Sequence, residues 1–337
     1  MHPPSTSAPP EQQTITFPVR GALASLSLAM LLPALGTSIA NVGLPDMASA
    51  LHASFQDVQW IVLAYLLAVT ALIVSVGRLG DMVGRRRLLL AGIALFALAS
   101  TLCALAPTLW LLVAARALQG LGAAAMMALT MAFVGTTVPK ARTGSAMGLL
   151  GTMSAVGTTL GPALGGLLIA RFGWQAIFLV KVPLACVALL LAWRFLPADP
   201  RGASAKRPVF DHRGTVLLAL TLAAYALAMT LGRGHFGMRN VALLLAACIG
   251  GALFVCVERK APAPLIHLSM LRAPVLGAGL AASMLVSTVM MSTLVVGPFY
   301  LSRGLGLGAA ATGMVLAAGP LVAAFCGVPS GWLVDRY

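Results

Sequence analysis

Two basic side chains, Arg116 and Lys181, stand inside long apolar runs of this 337-residue chain. A cation several residues into hydrocarbon is costly and usually faces a cavity or a partner, so both are candidates for handling substrate or protons. Arg116 opens the string Arg116-Ala-Leu-Gln119-Gly120-Leu-Gly122, and a helix would set the Gln119 amide one turn away on the same face. Lys181 sits in Phe178-Leu-Val-Lys181-Val-Pro183, at a similar depth from the outer face. The acidic residues are Glu11, Asp46, Asp57, Asp81, Asp199, Asp211, Glu258 and Asp335, and all fall in the tail, in loops or at the ends of apolar runs. With no carboxylate in the visible membrane core, the two cations favour an anionic or neutral substrate. A proton carrier is then either Lys181 itself or a group on further spans. The competing reading of Lys181 is a side chain that snorkels to the interface and takes no part.

Two glycine patterns come next. Gly77-Arg78-Leu79-Gly80-Asp81-Met82-Val83-Gly84-Arg85-Arg86-Arg87 reads as a loop. Its glycines allow a tight turn, Asp81 can neutralise a facing helix N-terminus or a nearby arginine, and the arginines meet anionic headgroups. Part of it returns 254 residues later as Gly331-Trp-Leu333-Val-Asp335-Arg336. The second pattern, Gly157-Thr-Thr-Leu-Gly161-Pro162-Ala-Leu-Gly165-Gly166, puts glycines four apart on one helix face, where a neighbouring helix can approach closely. Pro162 bends that span.

The elements that must position these residues follow from composition. Hydrophobic residues make up 60% of the chain and charged ones 9%, far from the quarter that a soluble domain carries. Spanning chains are helices or closed barrels, barrel strands alternate in polarity, and these apolar runs are unbroken over about 20 residues, so they are helices. Spans are expected near 20–43, 58–77, 88–106, 109–135, 144–170, 175–196, 214–232, 241–258, 275–301 and 310–331. Loops on one side hold sixteen Lys and Arg and those on the other hold four, which with Arg116 and Lys181 makes the total of 22 and puts the N-terminus in the cytoplasm. The charge of +14 therefore belongs to short loops and gives no basic face for nucleic acid. Residues 1–18 are polar and Pro-rich, a disordered cytoplasmic tail rather than a cleaved signal. Five scattered cysteines in apolar segments and five scattered histidines build no evident metal site.

Gly77 to Arg87, its partial repeat, the Arg116 string and the Gly157 to Gly166 pattern together resemble the major facilitator superfamily, and most closely its fourteen-span drug:proton antiporters of the multidrug efflux type. That resemblance covers nearly the whole chain and extends to Leu35 to Pro45, to Gln59-Trp60 ahead of Tyr65, and to an inserted pair of spans. It implies an all-α membrane fold with about ten of fourteen helices visible. The expected division is 19–196 for a six-helix half, 197–273 for linkers and the inserted pair, and 274–337 for the first two helices of the second half. Four further spans are expected beyond Tyr337, a natural ten-span protein being the alternative. The resemblance also implies a gate at Gly77, Asp81, Gly84, Arg85, Asp335 and Arg336, proton transfer near Arg116, and an exporter's helix at Gly157 to Gly166. Ser38, Asn41, Trp60 and Tyr65 are the candidate substrate-cavity residues. Two departures stand out: Gly36 where that family commonly has aspartate, and Lys181 where it commonly has asparagine.

The expected function is proton-coupled efflux of drugs or other small amphipathic compounds across a bacterial inner membrane. It needs no cofactor beyond the proton gradient, and its partners are a small-molecule substrate and the bilayer, with a periplasmic adaptor left open. The alternatives are export of a native metabolite or organic anion, and a receptor or scaffold that binds without flux. An enzyme would need convergent nucleophiles, carboxylates or metal ligands, which the sequence does not gather. Sixteen methionines could make an adaptable pocket or simply face lipid.

Overall fold

A computed structural model describes residues 17–138, 143–199, 211–230, 237–260 and 274–336; beyond Gly319 side chains are described only at Leu321, Val322 and Phe325. The apolar runs become helices because a chain in hydrocarbon must close its own backbone hydrogen bonds. They are α1 (Phe17–Val42), α4 (Trp60–Val83), α5 (Arg85–Leu105), α6 (Leu109–Thr137), α7 (Thr143–Phe172), α9 (Lys181–Phe195), α10 (His212–Thr230), α11 (Met238–Lys260), α12 (Pro274–Phe299) and α13 (Ala309–Arg336). Short helices α2 (Leu44–Ala50), α3 (Phe55–Val58) and α8 (Ala176–Leu179) lead into α4 and α9. Ser54 caps α3 by accepting from the Asp57 N–H at 3.2 Å, and Thr108 caps α6. Pro298 cannot donate to the carbonyl one turn back, and α12 ends there in a π turn over Tyr300–Gly304.

Nine helices among the described residues are long and apolar enough to cross a membrane. The tenth expected span is α13, whose described apolar stretch is Ala309–Gly319. One expectation needs correction. The glycine-rich Gly77–Asp81 segment is no loop but the last turns of α4, and the reversal falls on Gly84 alone, at φ +109°. That left-handed conformation suits glycine, and a Cβ there would also meet the Asp199 carboxylate. The partial repeat Gly331 to Asp335 likewise runs within α13, and its side chains lie outside the described residues, as do those of Asp335 and Arg336.

Small residues set how closely the helices pack. On α6, a Cβ at Gly122 would lie 2.7 Å from the Gly92 carbonyl of α5, and one at Gly120 would lie 2.9 Å from Ala68 of α4. Helix α6 is thereby pressed between α4 and α5. Helix α7 has neighbours on two sides. Gly157, Gly161 and Gly165 face α1, where added carbons would meet Leu31, Ser38 and Ile39. Gly166 and Pro162 face Ala309, Ala310 and Gly313 of α13. Helices α10 and α11 pair with each other, and α10 leans on α4, where the Ser75 and Thr215 hydroxyls are 2.6 Å apart. Two apolar cores result. One gathers Leu26, Leu89, Phe96, Met126 and Leu129, the other Leu35, Ile39, Ile61, Trp174 and Phe178.

Candidate functional site

Where those two cores meet, the chain buries polar groups. Arg116 of α6 has no solvent exposure. Its Nε donates to the Ile61 carbonyl of α4 at 2.8 Å, and its Nη1 donates to the Gly36 carbonyl of α1 at 3.2 Å and to Oε1 of Gln119. Gln119 passes the bonding on, its Nε2 donating to Ser100 Oγ of α5 at 2.6 Å. Ser100 in turn donates to the Phe96 carbonyl at 2.7 Å. One guanidinium therefore links α1, α4 and α6, and through Gln119 reaches α5. The ring of Tyr65 lies under it, 4.2 Å from Cζ to the ring centre, while the Tyr65 hydroxyl donates to the Pro33 carbonyl at 2.9 Å. A planar cation over an aromatic face gains from the ring's quadrupole, and the gain grows out of water.

Helix α9 begins at Lys181, which is also fully buried. Its Nζ has no hydrogen-bonding partner among the described residues. It lies 4.7 Å from the Phe178 ring centre and 5.8 Å from that of Phe96. Snorkelling, which would carry the ammonium to water, does not occur in this structure. Gly36, whose carbonyl accepts from Arg116, packs beside Phe96, one of the two rings near Lys181. A Cβ there would be 3.4 Å from Tyr65 Oη and 3.4 Å from Phe96 Cζ.

Of the residues singled out from the sequence, Arg116, Gln119, Tyr65 and Lys181 gather around Gly36 and Phe96. Ser38 turns elsewhere: its hydroxyl donates to the Ala34 and Gly157 carbonyls, both at 3.1 Å, within the α1–α7 contact. Asn41 is fully buried on α1, and neither side-chain atom has a partner among the described residues. Trp60 is half-buried at the first turn of α4. Gly157, Gly161, Pro162, Gly165 and Gly166 line the two contacts of α7 described above.

At the α4–α5 turn, Asp81 pairs with Arg85 one helical turn on, at 2.8 Å. A second acid there escapes sequence reasoning. Asp199, beyond the end of α9, accepts from the backbone N–H of Arg86 at 2.9 Å and of Arg87 at 3.2 Å. It thereby caps α5 with a carboxylate, the sign that a helix N-terminus favours. The Arg86 guanidinium donates to the Trp193 carbonyl, closing the same junction from the other side. An acid shortly after a span and three arginines at the head of another were visible, but nothing local joined residues 113 apart. Ser100 and Phe96, the outer members of the Arg116 network, were equally silent as ordinary residues of an apolar span.

The family model described as Major Facilitator Superfamily matches residues 26–337. The chain is 33% identical over 317 residues to an uncharacterised transporter, YebQ, of Escherichia coli strain K12, covering 94% of this chain and 69% of that protein. It is 35% identical over 253 residues to the multidrug resistance protein Stp of Mycobacterium tuberculosis, covering 74% of this chain and 47% of that one. The chain thus spans from about half to two thirds of these curated relatives' lengths. Among solved structures, a partially occluded, inward-open xylose transporter, XylE from E. coli, superposes with a TM-score of 0.60 at 14% identity, over 95% of this chain and 74% of that one.

Proposed function

We propose, from the premise that the chain belongs to the major facilitator superfamily, that it acts in proton-coupled efflux of drugs or other small amphipathic compounds by alternating access. The observation that carries this reading is the position of α7. Its glycines bring backbone against backbone with α1 on one face and with α13 on the other. The sequence pattern on that helix resembles the signature of exporters, and the name of Stp, a multidrug resistance protein, agrees in direction. The sixteen-to-four bias of loop cations supports an N-terminus in the cytoplasm of a bacterial inner membrane. Helices α12 and α13 are read as opening the second half, with α10 and α11 as an inserted pair.

The alternating-access reading assigns Arg116 a central place, because one side chain holds α1, α4 and α6 in register. It assigns Asp81, Arg85 and Asp199 to the cytoplasmic junction between α4 and α5. The deciding experiment expresses the protein from its whole gene in a pump-deficient bacterium and follows energised extrusion of dyes, drugs and organic anions. Extrusion that collapses with an uncoupler is the expected result. A well-inserted protein that binds compounds yet moves none would sink the transport reading and leave a receptor or scaffold.

A further inference from the structure

The N-terminal ends of α1 and α5 and the C-terminal end of α9 meet at one corner of the molecule. The Phe195 ring of α9 fills the space beside Gly21 of α1, where a Cβ would have no room. The Arg86 guanidinium of α5 donates to the Trp193 carbonyl, and Asp199 takes the N–H groups of Arg86 and Arg87. Residues 193–195 are thus the point on which three helix ends converge. Four guanidinium groups, on Arg20, Arg86, Arg87 and Arg194, stand there against the one carboxylate of Asp199. Arg86 is committed to the Trp193 carbonyl. Arg20, Arg87 and Arg194 are exposed, and none of them has an ion pair among the described residues; Arg194 only leans on the Phe195 ring, 5.6 Å from its centre. Other basic helix ends carry more acid. Asp81 answers Arg85 at the end of α4. Where α10 begins and α11 ends, Arg213, Arg259 and Lys260 share the ground with Asp211 and Glu258, both of which an added Cβ at Gly214 would meet.

Next to this corner the outward side of α9 is bare. Val187, Leu190 and Trp193 are exposed, Leu190 to 64% and Trp193 to 63%, and they succeed one another at helical spacing up to Arg194. An apolar stripe at this depth lies against acyl chains, an indole belongs at the level of the headgroups, and unpaired guanidinium groups favour phosphate. We propose that the corner holds one anionic phospholipid, its phosphate received by Arg87 and Arg194, with Arg20 adding to the positive field, and an acyl chain laid along Val187 and Leu190. Charge complementarity selects the occupant. A zwitterionic lipid brings a cation of its own to a corner already in positive excess, and free phosphate leaves the apolar stripe without a partner. A lipid bound in this way ties α5 to α9 from outside, across the junction that Asp199 caps from within. The site is independent of the transport reading, since a receptor or scaffold with the same corner would hold the same lipid.

The test uses the full protein, purified in detergent and stripped of native lipid, then titrated with dioleoyl phosphatidylglycerol or dioleoyl phosphatidylcholine and read by native mass spectrometry. One phosphatidylglycerol per protein is expected to be retained at about a tenth of the concentration that phosphatidylcholine needs. Arg87→Gln combined with Arg194→Gln should weaken phosphatidylglycerol about tenfold and leave phosphatidylcholine unchanged. Arg87→Lys combined with Arg194→Lys, which keeps both charges, should retain most of the binding. Arg171→Gln combined with Arg303→Gln, at other helix ends, should change neither lipid. Without lipid the thermal midpoint of the glutamine pair should match the parent's, and phosphatidylglycerol should raise the parent's alone. Should that pair fail to fold, Arg194→Gln by itself serves, with a smaller loss expected. Equal retention of the two lipids, or phosphatidylglycerol affinity indifferent to the changes at Arg87 and Arg194, would overturn the proposal. An equal loss from the Arg171 and Arg303 pair would do so too, leaving only a diffuse attraction to basic surface. Displacement of the lipid by inorganic phosphate at matched concentration would leave a site for free anions and overturn it as well.

Discussion

At the scale of single residues, Arg116 is the side chain whose loss the structure can least absorb. Replacing it by methionine takes the side-chain donor from the Ile61 and Gly36 carbonyls of two other helices and leaves Gln119 Oε1 without its partner in the protein interior. Each unsatisfied group costs on the order of 1–3 kcal/mol. Arg116→Met is therefore expected to lower the thermal midpoint of the purified protein and abolish flux. Arg116→Lys should rescue little of either, because a single ammonium on a shorter, unforked head cannot serve three acceptors on three helices. A midpoint unchanged in Arg116→Met would deny the network its structural part. Asp199 gives a second residue-scale expectation. Asp199→Ala removes the carboxylate that takes the Arg86 and Arg87 N–H groups and should cost about 0.5–2 kcal/mol of local stability. Limited proteolysis at the α4–α5 turn reads that loss, and Asp199→Asn, which keeps an acceptor, should retain most of the protection.

At the scale of elements, the helix that decides most is α7. Gly161→Leu would drive a side chain into Ser38 and the Ile39 amide, 2.8 Å from where its Cβ must stand, and separate α1 from α7. Flux should fall to background while the protein still inserts. Leu160→Ala, one residue away but 47% exposed, should leave flux unchanged. Loss in both variants would point to α7 folding rather than to its contact with α1. The same scale shows what could be read before the structure. Long apolar runs are legible because hydrocarbon permits so little else, and every expected span has its helix. The Gly77–Asp81 segment misleads because two glycines and an aspartate suggest a turn on propensity. Yet Gly80 lies against Leu129 of α6, so packing carries α4 on to Val83 and leaves the reversal to Gly84. Arg116, Gln119 and Lys181 announce themselves as polar groups in apolar company. Asp199, Ser100 and Phe96 do not, since their parts depend on partners brought near only by the fold.

At the scale of the whole molecule, the two cores meet at a polar layer, and the sixteen and four loop cations counted in the sequence are expected on opposite sides of the bilayer. That arrangement predicts sidedness. In a cysteine-free background, Arg171→Cys should react with a membrane-impermeant maleimide added to intact cells, whereas Arg259→Cys should react only after permeabilisation. The reverse pattern would invert the topology drawn from the loop charges. Reaction of both from outside would break the span count between them.

The contact of α7 with α13 has a mechanical meaning. Where Gly166 meets Ala309 and Ala310, and Gly313 meets the Pro162 carbonyl, the touching surfaces are nearly all backbone. Interlocking side chains make a ratchet, because each step must lift knobs out of holes and reset their rotamers. A seam without knobs has no such detents, so the two helices can slide or tilt by small amounts with little activation. Adding one methyl group at Gly166 or Gly313 would then act as a brake, slowing the cycle more than it weakens what the protein binds.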